Sequence, residues 1–351
     1  MRRIVMWVLG LGLGYLILAP LLTVGALFAM LTAGVVDWSG VHPIPSDPLT
    51  IGYRGDPAEA FGWPYETIRY PTELGPAEAW LVPAEGADGL WAIWVHGIGG
   101  LRENGYRMIE PLHQAGVPVL MITYRNDAGA PRAEDGLYSF GLAEWRDLEA
   151  AVDEAVSRGA GRVLLLAESM GAGIVGQYLA RGDDTERVAG LALDAPALDF
   201  SAVIHAGGQR YWVPLADYVA GAGMALWPLL RRDLREANSL EAVAGFEGPL
   251  FVAHGRRDPL VPFAISERLL ALRPETALHV TNADRHPMSF EEDRPGYATA
   301  LLQWLTAVRS RLSAEHEAGE AGQAEAGGSD EGEEQGGIEI VDQGGHGAGS
   351  D

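Results

Sequence analysis

The hydroxyl of Ser169 lies in the run Ala167-Glu168-Ser169-Met170-Gly171-Ala172-Gly173, directly behind the apolar stretch 162–167 and ahead of a helical pattern carried by Ile174, Val175, Tyr178 and Leu179. A serine on a tight strand-to-helix turn needs small residues two before and two after it, because larger side chains collide in the strained bend. Ala167 and Gly171 meet that need, whereas a serine serving only as a helix N-cap has no such requirement. A hydroxyl is a poor nucleophile alone, so the chemistry such a turn could do is attack on a carbonyl, with a histidine base and a carboxylate that orients it. Composition narrows the field in the same direction. The 351 residues contain no cysteine and, reading along them, no lysine. That excludes thiol nucleophiles, disulfides, thiolate metal centres, Walker-type phosphate loops and lysine Schiff bases. With 48 Asp and Glu against 25 Arg the net charge is −23, and no basic stripe is visible that would suit nucleic acid. What remains is catalysis by Ser, His, Asp and Glu, or a binding role.

The elements that would position these residues are legible as alternating patterns between about residues 50 and 312. Stretches 66–71 and 77–82 read as opening strands, with Gly75-Pro76 turn chemistry between them. The runs 90–95, 118–124, 162–167, 188–193, 250–254 and 278–281 are nearly continuously apolar, as strands buried on both faces of a parallel sheet are. Between them lie helical patterns, clearest at 142–156, where Trp145, Leu148, Ala151, Val152 and Val156 share one face. This alternation predicts a mostly parallel, doubly wound α/β domain, which binds its ligand at the carboxyl ends of its strands.

With Ser169 set between a buried strand and a helix, the chain resembles the α/β-hydrolase family, whose elbow is usually G-x-S-x-G; here Ala167 replaces the first glycine and still fits sterically. Three further segments carry the resemblance. His96-Gly97-Ile98-Gly99-Gly100 after the run 90–95 is similar to the family's HG loop, which implies an oxyanion hole from the backbone N–H groups of Ile98 and Met170. Phe251-Val-Ala-His254-Gly255-Arg-Arg-Asp258-Pro-Leu-Val261-Pro262 looks like the acid loop, with Asp258 as the triad carboxylate. Asn282-Ala-Asp-Arg-His286-Pro287 follows the last strand, where the resemblance puts the catalytic histidine. The chain order Ser169, Asp258, His286 is that of the family, and the resemblance covers about 250 residues. Asp194, at the end of the run 188–193, is the rival acid; the place where this fold carries its acid favours Asp258. His96 and His254 are expected to shape their loops.

The ends of the chain differ from this middle. Arg2 and Arg3 precede 33 uncharged residues, 4–36, more than the roughly 20 that span a bilayer and far more than a signal-peptide core. Residues 1–37 therefore read as a membrane anchor, broken or kinked at Pro20, although Ala33 and Gly34 leave cleavage open. Arginines before the run and acids after it put the N-terminus in the cytoplasm and residues 38–312 outside. Residues 313–351 hold eleven acids, no arginine and recurrent glycine, and read as a disordered acidic tail. The segment of about 199–245 is where family members insert a cap. Its Trp212, Met224 and Trp227 could contact substrate, or could be the core of cap helices.

The resemblance implies a serine hydrolase acting on a small-molecule or lipid-like carboxylic ester through an acyl-enzyme, with no cofactor, no metal and no nucleic-acid partner. Two alternatives stay open at this point. One is a serine peptidase of the prolyl-oligopeptidase type, for which the chain shows no room for the large domain that selects peptides. The other is a non-catalytic, membrane-tethered binding protein of the same fold, which would be expected to lose part of the triad or the HG loop.

Overall fold

The computed structural model describes residues 1–32, 44–86 and 88–328, with side chains through residue 321. An N-terminal helix α1 (Arg2–Thr32) and a short capped helix α2 (Pro57–Phe61) precede strands β1 (Glu66–Thr72), β2 (Gly75–Val82) and β3 (Leu90–Val95). Then follow α3 (Tyr106–Gln114), β4 (Val119–Ile122), α4 (Trp145–Ser157), β5 (Arg162–Glu168), α5 (Met170–Arg181) and β6 (Val188–Asp194). The cap comes next, with α6 (Phe200–Arg210), α7 (Ala216–Leu226), two short 3-10 turns and α8 (Leu240–Gly245). The chain returns through β7 (Leu250–Gly255), α9 (Ala264–Leu272), β8 (Ala277–Thr281), α10 (Ser289–Glu292) and α11 (Arg294–Gly328).

The eight strands form one sheet in the order β1-β2-β4-β3-β5-β6-β7-β8, antiparallel where β2 meets β1 and β4 and parallel from there on. The mixed sheet expected from the sequence is therefore present, and its central strands are buried on both faces, which is why they lack polar alternation. Register aligns the strand ends that matter. Val95 pairs with Ala167, Glu168 with Asp194, Asp194 with Ala253, and His254 with Val280. Because β3 and β4 exchange places in the sheet, the chain leaves β3 and β5 beside a topological switch point, the place where open α/β sheets bind ligands.

Residues Met1–Val308 form one unit by their contacts, with Leu27 and Leu31 of α1 buried in the same hydrophobic core as β1 and β3. α1 is nonetheless long and apolar enough to cross a membrane and carries Pro20 within an unbroken helix. α11 runs on past residue 313 through Gly328, in a segment that holds alanine and glutamate, both strong helix formers. Residues 33–43, which hold Ala33, Gly34 and the anchor boundary, and residues 329–351 of the tail lie outside the described residues.

Candidate active site

Ser169 occupies a single-residue bend between β5 and α5 with φ 52 and ψ −119, a conformation strained for any residue with a side chain. The bend is over-determined by its neighbours. The Ser169 N–H donates to the Asp194 carbonyl at 2.9 Å, and the Ser169 carbonyl accepts from Ala172 and Ala197 at 3.1 Å each. Helix α5 then lies so close to the end of β3 that a β-carbon on Gly171 would stand 2.2 Å from the Val95 carbonyl oxygen. A side chain there is incompatible with the turn, which is the physical content of the small-residue rule read from the sequence. On the other side, a β-carbon on Gly97 would stand 3.0 Å from the Ser169 β-carbon, so the HG loop is pressed against the bend. Among the described residues no loop or turn backbone hydrogen bond has the Ile98 or Met170 N–H as its donor.

His286 and Asp258 are brought together. His286 Nδ1–H donates to Asp258 Oδ2 at 2.7 Å, and Asp258 Oδ1 accepts from the Leu260 and Val261 N–H groups at 2.8 and 3.0 Å. The carboxylate is nearly sealed from solvent while His286 keeps some exposure. Burial works to raise the Asp258 pKa, but hydrogen bonds on the His254 and His286 sides outweigh it and hold the carboxyl well below its ordinary value. His254 shapes the loop as expected: its Nε2 faces the Val261 carbonyl at 3.1 Å and its Nδ1 faces Ser266 Oγ at 2.7 Å. Among the described residues the Ser169 hydroxyl has no hydrogen-bond partner, so the link from serine to histidine is not made in this structure.

His96 has a larger role than loop shaping by bulk. Its Nε2 lies 2.9 Å from Asp127 Oδ2 and its Nδ1 lies 2.8 Å from the Gly97 carbonyl oxygen. Both ring nitrogens thus face acceptors, which fits a doubly protonated imidazolium. Burial opposes that charge, but Asp127 and the Gly97 carbonyl overcome it and raise the His96 pKa. Tyr138 donates to the other Asp127 oxygen at 2.5 Å, and Tyr124 donates to the His96 carbonyl at 2.9 Å, so the strap around the HG loop is closed.

Sequence reasoning missed a second buried cluster. Arg107 of α3 donates to Glu168 at 2.6 Å and, through Nε and Nη2, to Asp194 at 3.1 and 2.9 Å. Tyr297 adds a hydrogen bond to the same Asp194 oxygen at 3.1 Å. Burial works against the guanidinium, yet Glu168 and Asp194 hold the Arg107 pKa above its ordinary value. Asp194 is therefore engaged beneath the elbow, on the opposite errand from orienting His286. The only signal for this in the sequence was the pair of acids at the ends of β5 and β6.

The three cap residues expected near substrate do not gather. Met224 and Trp227 are buried in the hydrophobic core, and Trp212 is 91% exposed with φ 53. Cap helices need their own apolar core, and Met224 and Trp227 fill part of it whereas Trp212 does not. The apolar hollow in this region is walled by other residues, from α1, α6 and α7.

No family model matches the chain. An uncharacterized protein of Mycobacterium tuberculosis, present in two strains, is 29% identical over 208 residues, covering 57% of this chain. That alignment spans 64% of the relative's own length. Among solved structures, the Pyrococcus furiosus esterase Pf2001 superposes with a TM-score of 0.57 at 20% identity, covering 76% of this chain and 97% of that one. Puromycin hydrolase superposes with a TM-score of 0.52 at 18% identity, covering 74% of this chain and 41% of that one. The fold is the α/β-hydrolase fold.

Proposed function

We propose that this chain is a membrane-anchored serine hydrolase that cleaves carboxylic esters. The observation that carries the reading is the 2.7 Å hydrogen bond from His286 Nδ1 to Asp258, which presets the imidazole so that Nε2 is the basic nitrogen. A binding protein on this scaffold has no use for such a pair. In the proposed reaction His286 takes the Ser169 proton as the oxygen attacks the ester carbonyl, and the N–H groups of Ile98 and Met170 hold the oxyanion. Each donor of that kind is worth roughly 3–4 kcal/mol in comparable sites. His286 then gives its proton to the departing alkoxide, leaving an acyl group on Ser169. A water deprotonated by His286 attacks the acyl carbon, and the acid and free serine are released. Hydrogen bonds of this kind tighten when substrate binds, which accommodates the unmade contact between Ser169 and His286.

α1, with two arginines ahead of its apolar run, supports a single span with the N-terminus in the cytoplasm and the catalytic domain outside. The test is labelling of the full-length protein with a fluorophosphonate probe, alongside hydrolysis of p-nitrophenyl acetate. Wild type is expected to label and turn over, and Ser169→Ala to do neither. A folded wild-type protein that does neither overturns the hydrolase reading.

A further inference from the structure

A half-open cavity of about 280 Å³ lies between α1 and the cap. Leu27 and Met30 of α1 form one wall, Val203 and Ile204 of α6 a second, and Val219 and Ala220 of α7 a third. Pro259 and Leu260, the two residues that follow Asp258, close it on the side of the acid loop. Among the described residues no charged side chain lines it, and the Thr23 hydroxyl in its wall is already spent on the Ala19 carbonyl. A space walled chiefly by such side chains, with the largely exposed Tyr211 among them, favours hydrocarbon. At roughly 30 Å³ per water-sized group it holds about nine such groups, about the volume of a medium acyl chain.

The position of α1 says where that hydrocarbon comes from. A helix rises about 1.5 Å per residue, so roughly 20 residues cross a hydrocarbon core of about 30 Å. Counted from Ile4, that length ends near Thr23. Yet the cap grips α1 well before this. The Tyr15 hydroxyl donates to the Pro214 carbonyl at 2.5 Å, and the Tyr218 hydroxyl donates to the Leu16 carbonyl at 3.0 Å. Farther along, α7 packs so tightly that a β-carbon on Gly223 would stand 2.7 Å from Thr23. If α1 spans the bilayer, the cap meets it inside the spanning stretch and is itself immersed in one leaflet. The outer face of the cap exposes Tyr211, Trp212, Leu215, Leu229 and Leu230, with the charged Arg210, Asp217, Arg231 and Arg232 among them, a mixture that suits the boundary between hydrocarbon and water. Tyrosine and tryptophan favour the boundary between hydrocarbon and water, and exposed leucines favour hydrocarbon.

We infer that this cavity is the acyl subsite of the enzyme, and that its occupant is the hydrocarbon chain of an ester lipid entering sideways from the leaflet that holds the cap. The inference rests on the serine-hydrolase reading for its chemistry, and on the cavity and the grip of the cap on α1 for its place. The anchor is then part of the binding site, since α1 supplies one wall of it.

Gly207 of α6 lines the cavity, and a β-carbon added there meets nothing within 4 Å. Gly207→Leu therefore fills the space without forcing the backbone, with Gly207→Ala as the smaller step. In full-length protein in lipid nanodiscs, the ratio of kcat/KM for p-nitrophenyl decanoate to that for p-nitrophenyl acetate is expected to fall at least tenfold in Gly207→Leu and less in Gly207→Ala. A phosphatidylcholine carrying a diazirine in its acyl chain is expected to crosslink to peptides of α1, α6 and α7 in wild type, and less in Gly207→Leu. Ser169-dependent turnover with an unchanged ratio, and crosslinks spread over the outer surface, overturn the inference while leaving the hydrolase reading in place. If fluorophosphonate labelling fails instead, the catalytic reading falls, and the crosslinking alone decides whether the cavity takes a lipid chain.

Discussion

Arg107 Nη2 donates to Glu168 Oε2 at 2.6 Å, fastening the residue immediately before Ser169 to a helix 61 positions earlier in the chain. The same guanidinium holds Asp194, whose carbonyl accepts the Ser169 N–H. The strained bend is thus clamped from below by one buried cation shared between two carboxylates.

Replacing Arg107 by Met leaves two buried carboxylates without their counter-ion, and removal of one partner from such a pair costs about 3–5 kcal/mol. Urea unfolding of Arg107→Met should show a loss of that order. Arg107→Lys should recover only part of it, because an ammonium cannot reproduce the fork that spans both acids. A stability within about 0.5 kcal/mol of wild type for Arg107→Met would mean the clamp carries nothing.

Asp258→Asn and Asp194→Asn should separate cleanly. The first is expected to lower kcat by about 10⁴, since the amide favours the wrong imidazole tautomer. The second should chiefly lower the unfolding midpoint, as its carboxylate balances Arg107, and leave kcat of the folded fraction within about tenfold. Steady-state kinetics beside thermal unfolding reads both. The opposite ranking would transfer the orienting role to β6.

The raised His96 pKa gives stability a particular pH dependence. The folded state binds the proton more tightly than the unfolded chain, whose histidine titrates near 6.5. The contribution is therefore complete below about pH 6.5 and fades as pH rises through the folded value. His96→Gln should flatten this limb of the stability profile measured by urea unfolding from pH 5 to 9. Asp258 acts in the other direction. Its folded pKa is depressed, so its contribution is present above an unfolded value near 3.9 and is lost as pH falls through the folded one. A limb that survives intact in His96→Gln would show that another group produces it.

The absence of cysteine makes sidedness simple to read. Glu186→Cys introduces one thiol at an exposed position on the sheet domain. A membrane-impermeant maleimide should label it in intact cells expressing the protein, before lysis. Labelling only after permeabilisation would put the catalytic domain in the cytoplasm.

The strands and the elbow were legible because buried parallel strands write themselves as apolar runs, and because the bend at Ser169 tolerates only small neighbours at Ala167 and Gly171. The pairing of His286 with Asp258 came from the resemblance, and the two side chains stand 2.7 Å apart. The clamp of Arg107 on Glu168 and Asp194 was hidden, since its members lie 61 and 87 positions apart and nothing local marks a buried arginine on an amphipathic helix. The contact of α1 with the cap was hidden for a different reason. A helix that is apolar on every side has no stripe to announce which side meets protein and which meets lipid. The cap residues singled out by size, Trp212, Met224 and Trp227, illustrate the same limit, because bulk alone does not say whether a side chain fills a core or faces a ligand.

The burial of Leu27 and Leu31 has a bearing on how the protein is made and how it ages. A protease cutting just after Thr32 would release a catalytic fragment stripped of two core leucines and of one wall of the cavity, with the inner face of α7 uncovered. Such a fragment bares apolar surface to water and is expected to clump. By the same token the core is complete only once α1 has docked on it.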